Sequence, residues 1–92
     1  MATEVRASHI LVKTEDQIKT LLERLQKGET FEELAEKISL CPSRANGGDL
    51  GYFERGEMIK EFEDVCFDTE VGDLATVETN YGWHLIKVTG KI

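Results

Sequence analysis

Leu74-Ala75-Thr76-Val77-Glu78-Thr79-Asn80-Tyr81-Gly82-Trp83-His84-Leu85-Ile86-Lys87-Val88 is the stretch that decides the fold. Two runs rich in branched and aromatic residues flank Asn80-Tyr81-Gly82, a turn sequence. The pattern predicts strands over Leu74 to Thr79 and Trp83 to Val88, joined as a hairpin and therefore antiparallel. In the second strand His84, Ile86 and Val88 alternate against Trp83, Leu85 and Lys87. Val71-Gly72-Asp73 supplies the turn before the hairpin.

Working back from there, Ile59 to Phe67 reads as a helix with Ile59, Phe62 and Cys66 inward. Asp49 to Glu54, carrying Leu50, Tyr52 and Phe53, reads as a short strand. Before it lies a turn-rich loop, Cys41-Pro42-Ser43-Arg44-Ala45-Asn46-Gly47-Gly48, with room for one helical turn. Two helices precede the loop. One opens at Thr30 with Glu33 as capping partner and carries the stripe Phe31, Leu34, Ala35, Ile38. The other opens at Thr14 with Gln17, carries Ile18, Leu21, Leu22 and Leu25, and stops at Gly28. Val5 to Val12 is a first strand with Val5, Ala7, His9 and Leu11 on one face. Helices and hairpin-linked strands are mixed without strict alternation. That predicts one α+β domain over residues 1–92, a mainly antiparallel sheet of four strands with about four helices around it.

The bulk composition narrows the function. The 92 residues fit one small domain, and 40% hydrophobic with 32% charged residues is an ordinary soluble balance. A formal net charge of −7 argues against nucleic acid or an anionic membrane as partner. No apolar run is long enough to span a bilayer. The first twelve residues lack the apolar core of a signal peptide, so the chain is expected to stay in the cytoplasm. Its initial Met and the absence of a flanking linker are the pattern of a free-standing chain, expected to act as a monomer. Cys41 and Cys66 do not make a disulfide framework and are free thiols in a reducing compartment.

Candidate chemistry is sparse. The only two histidines, His9 and His84, sit in apolar strands at opposite ends of the chain. A lone histidine in such a place is usually a hydrogen-bonded core residue. Two of them in strands that can be sheet neighbours, with a free cysteine opening a glycine-bearing loop, make a candidate site.

At this point the chain resembles the parvulin family of peptidyl-prolyl cis/trans isomerases. The motifs are Ala7-Ser8-His9-Ile10-Leu11-Val12; Cys41-Pro42-Ser43 with Gly47-Gly48-Asp49-Leu50-Gly51-Tyr52-Phe53; Arg55-Gly56-Glu57-Met58 with Phe62-Glu63 and Phe67; and Tyr81-Gly82-Trp83-His84-Leu85-Ile86-Lys87. Each is weak alone. Four in order, from about Val5 to Val88, are a strong signal.

The resemblance implies rotation of Xaa-Pro bonds in flexible protein segments, assisting their folding, with no cofactor and no metal. It places Leu50, Met58 and Phe62 around the proline ring, Met58 sharing a face with Phe62 if the helix reaches back that far. It implies that His9 and His84 hydrogen-bond to each other, that Thr79 joins them, and that Cys41, at a position held by Cys or Asp, acts near the rotating carbonyl. Cys66 matches no motif and reads as a small buried hydrophobe. Two departures stand out. Some parvulins carry Pro where this chain has Glu61, which puts an acid at the expected rim of the pocket. Phosphate-dependent members carry a basic cluster after the first strand, whereas Lys13-Thr14-Glu15-Asp16 offers one cation and two anions, so phosphopeptide recognition does not carry over. A module that binds proline-containing segments without turnover is the main alternative. A Cys-His hydrolase or a metal site built from Cys41, His9 and His84 is disfavoured, the latter because no metal-ligand spacing appears.

Overall fold

The computed structural model describes residues 2–92. The chain runs through β1 (Glu4–Val12), α1 (Glu15–Gln26), α2 (Phe31–Ile38), a 3₁₀ turn over Pro42–Asn46, β2 (Asp49–Glu54), α3 (Lys60–Asp68), β3 (Leu74–Thr79) and β4 (Gly82–Lys91). This is the expected element order, including the helical turn in the cysteine loop. Every neighbouring pair of strands is antiparallel, in the order β2-β1-β4-β3. The first and last strands of the sequence are thus the two central strands of the sheet.

Local chemistry sets the helix starts. The Thr14 hydroxyl accepts from the Gln17 amide, and the Gln17 side chain accepts from the backbone N–H of Thr14, a complete capping box. At α2 the Thr30 hydroxyl accepts from the Glu33 amide at 3.2 Å, and only this half of the predicted box forms. Helix α3 begins later than its apolar pattern suggested. Ile59 is its N-cap, with extended ψ of 136° and 36% exposure, and is not an inward residue. An N-terminal boundary is set by backbone geometry that hydrophobic spacing does not report.

The sheet buries both faces. Helices α1 and α2 cover one, packing Ile18, Leu21, Phe31, Leu34 and Ala35 on Ile10 and Val12 of β1 and Leu85 of β4. Helix α3 covers the other, packing Phe62 and Cys66 with Val5, Ala7, Phe53, Ile86 and Val88. The Val, Leu, Ile and Phe side chains among these contribute about 1.5–3 kcal/mol each when fully buried. Cys66 is fully buried, and burial pushes its thiol up to about 12, as a core hydrophobe requires.

Candidate functional site

Antiparallel register assembles the site. On the α3 face Leu11 pairs with His84, and His9 pairs with Ile86, so the two histidines are diagonal neighbours across β1 and β4. On the other side of β4, His84 pairs with Val77 of β3, which puts Thr79 one diagonal step away. One row thus crosses three strands. His9 Nδ1 and His84 Nδ1 lie 2.9 Å apart, and Thr79 Oγ1 is 2.7 Å from His84 Nε2. Thr79 Oγ1 also accepts from the Tyr81 amide at 3.2 Å.

The row is a directional chain. Either the Thr79 hydroxyl donates to His84 Nε2 and His84 Nδ1–H donates to His9 Nδ1, or both bonds run the other way. Both rings are buried, at 5% and 4% exposure. Burial, and then the neighbouring His84, push His9 down to about 4; burial also lowers His84. The shared Nδ1···Nδ1 bond requires the accepting ring to be neutral, since two imidazoliums would point two protons at each other, and burial favours the neutral form of both rings.

Against this row stands an apolar wall. The Phe62 ring meets His9 and His84 edge-on, with centroids 5.3 and 5.2 Å away. Phe62, Met58 and Leu50 line a cleft of about 370 Å³ together with His9, His84, Cys41, Leu11, Leu40, Pro42, Ile59 and Tyr81. Every proposed substrate-binding residue is in the cleft, and so are three of the four proposed catalytic ones. Thr79 does not line it and reaches it only through His84. Met58 faces the cleft from outside α3, so the shared helix face inferred from its spacing to Phe62 is not how the two come together. Glu61 is exposed on the first turn of α3 and does not line the cleft, which corrects the rim position expected for it.

Cys41 is held from two sides. The fully buried Ser39 accepts through its hydroxyl from Leu11 N–H at 3.1 Å and Cys41 N–H at 3.3 Å, tying the end of α2 to β1. The Ser43 hydroxyl donates to Cys41 Sγ at 3.2 Å. The loop closes at Gly48, whose carbonyl accepts from His9 N–H at 2.9 Å. Gly48 has φ of 87°, and a Cβ there would lie 2.5 Å from the His9 carbonyl oxygen. Only glycine lets the cysteine loop approach the histidine strand this closely.

Sequence reasoning gave no role to Leu40, read Ile59 as an inward residue of α3, and placed Tyr81 only within a family motif. They are 55%, 36% and 70% exposed and form an apolar rim around the cleft. Ser39 was also missed, because a buried serine is indistinguishable in sequence from one in a loop. Among the described residues no group of three or more His, Cys, Asp or Glu is placed to hold a metal ion. Among the described residues no helix is long and apolar enough to cross a membrane.

Residues 1–92 match the family model described as the PPIC-type PPIASE domain. The foldase protein PrsA of Geobacillus kaustophilus is 50% identical over 90 residues, covering 96% of this chain and 32% of the relative. The crystal structure of the peptidylprolyl isomerase PrsA from Bacillus anthracis is similar with a TM-score of 0.93 and 42% identity, over 99% of this chain and 43% of that one. The solution structure of NmPin, the parvulin of Nitrosopumilus maritimus, has a TM-score of 0.87 and 36% identity, over 98% of this chain and 99% of that one. The chain spans about a third of the length of the curated PrsA relatives it matches.

Proposed function

The chain belongs to the PPIC-type, or parvulin, family of peptidyl-prolyl cis/trans isomerases, and on that premise we propose that the cleft between Phe62 and the His9–His84 pair is where an Xaa-Pro bond is turned in flexible protein segments. The observation that carries this reading is the abutment of an apolar wall on a neutral, hydrogen-bonded histidine row.

The chemistry asked of the site is modest. Amide resonance puts a barrier of about 18–20 kcal/mol on rotation, and the uncatalysed change takes roughly tens to hundreds of seconds. Removing about 5 kcal/mol gives roughly a 10⁴-fold acceleration. No nucleophile or proton transfer to substrate is needed. Leu50, Met58 and Phe62 seat the proline ring, which fixes one side of the bond while the preceding carbonyl swings. A planar amide carries more charge on its oxygen than a twisted one, so a cleft with apolar walls disfavours the planar form. The histidine row keeps the floor rigid and neutral, and Cys41 stands near the swinging carbonyl as a polarisable neighbour.

The foldase role of the PrsA relatives is proposed for this chain in the same terms: its substrates are unfolded or flexible segments that contain proline. A monomer acting in the cytoplasm is part of the proposal, and the two free thiols fit a reducing compartment. The rim of Leu40, Ile59 and Tyr81 also favours a second reading, in which the cleft only holds extended segments. Isomerisation measured on a short Xaa-Pro peptide, without a coupling protease, separates the two: turnover supports the first, and binding without turnover the second.

A further inference from the structure

Glu63 is the anomaly of α3. Its side chain is only 7% exposed, beside Phe62 on the helix that covers the site face of the sheet. A carboxylate is costly to bury unless hydrogen bonds replace its water. Here they come from one short segment. Glu63 Oε1 accepts from the backbone N–H of Gly56 at 2.5 Å, and Oε2 accepts from Arg55 Nη1 at 3.1 Å. The same guanidinium nitrogen donates to Asp64 Oδ1 at 3.0 Å, and the guanidinium lies 4.4 Å from the centre of the Phe67 ring.

The segment so held is a tight turn. Glu57 N–H donates to the Glu54 carbonyl at 3.3 Å, and the Glu57 carboxylate accepts from Glu54 N–H at 3.1 Å. Gly56 has φ of 96°, at the third turn position, where glycine is favoured. The backbone N–H of Glu63 also donates to the Ile59 carbonyl at 2.9 Å. One residue therefore grips both ends of the stretch from Gly56 to Ile59, and Met58, which lies outside α3, is inside that grip.

We propose that Glu63 is a positioning residue, whose carboxylate clamps the Arg55–Gly56 turn to α3 and so sets Met58 in the wall of the cleft. This rests on the proline-pocket reading for its catalytic meaning, but the clamp itself has an independent readout. Removing the acceptor frees the turn, and Met58 no longer presents a fixed surface to the proline ring.

The test uses the whole chain, well below each variant's melting temperature, and follows the Met58 methyl and Gly56 amide signals by NMR beside peptide kinetics. Glu63→Ala is expected to move both signals and to raise KM roughly tenfold, with a smaller change in kcat. Glu63→Gln keeps a neutral carbonyl acceptor for Gly56 and is expected to restore most of both. Glu63→Leu fills the same space without an acceptor; it keeps the readout if the alanine variant fails to fold, and is expected to move Met58 as alanine does. Ile18→Ala, a core truncation on the far face of the sheet, is expected to lower Tm without moving Met58 or KM. A Met58 methyl that stays in place in folded Glu63→Ala and Glu63→Leu overturns the clamp whatever the activity. If Met58→Ala impairs turnover and neither Glu63 variant does, the clamp fails and the pocket stands. If the Glu63 variants move Met58 and no variant alters kcat/KM, the clamp stands and the pocket reading fails.

Discussion

His9 and His84 share one hydrogen bond between like atoms, Nδ1 to Nδ1 at 2.9 Å, so one ring must donate and the other accept. The pair is made for the neutral state. His9 lies at about 4 and His84 is also lowered, so the unfolded chain binds protons more readily than the folded one as pH falls below about 6.5. Stability is undiminished above that pH and is expected to fall between about 6.5 and 4, by roughly 3 kcal/mol from His9 alone. Denaturant unfolding from pH 8 to pH 4, with the ring protons followed by NMR, checks this. A His9 midpoint near 6.5 contradicts it.

Deleting either ring leaves a buried partner unsatisfied. His9→Ala and His84→Ala are each expected to lose roughly 1–3 kcal/mol of stability together with activity. Thermal melts paired with kinetics decide the point. Lost activity at unchanged Tm would show that the histidines do acid-base work on the substrate instead of holding the floor.

How much of this was legible in the sequence differs by link. The strands, the capping box at Thr14 and the apolar stripes of α1 and α2 follow from local periodicity, and the structure has them. The diagonal row of His9, His84 and Thr79 depends on register between strands far apart in sequence. The family resemblance suggested it, but no local pattern shows it. Ile59 was misplaced because its apolar side chain fits the stripe of α3 while its extended backbone puts it at the N-cap, before the first helical residue. Glu63 had no assigned role, since a carboxylate on a helix is ordinarily solvated and only the fold shows this one buried.

Cys41 is expected to help without being indispensable. Rotation forms no covalent intermediate, and the Ser43 hydroxyl that donates to Cys41 Sγ can donate to a carboxylate equally well. Cys41→Asp is expected to keep substantial activity and Cys41→Ser to be weakened but active. Complete inactivity of a folded Cys41→Asp would favour a nucleophilic role.

Substrate charge is the next outcome. A phosphate before proline carries about −1.5 to −2 charge and needs several cationic donors. Among the described residues no Lys or Arg lines the cleft, and the whole chain is at −7. Neutral, apolar or basic residues before proline are expected to give higher kcat/KM than phosphoserine, phosphothreonine or Glu, with the contrast reduced by salt. Matched peptides at low and high ionic strength test it. A phosphopeptide turned over faster than its unphosphorylated counterpart would show that cations outside the cleft, Arg44 among them, reach the substrate.

The most direct test is the cis/trans exchange rate of an Xaa-Pro peptide, measured by NMR with catalytic amounts of the chain, for the unaltered protein, Met58→Ala and Phe62→Ala. The account predicts clear acceleration by the unaltered protein and at least a tenfold lower kcat/KM in each variant, about 1.4 kcal/mol of lost transition-state stabilisation. Unaltered acceleration in both variants with the fold intact, or binding of the peptide by the unaltered chain without any acceleration, would contradict it.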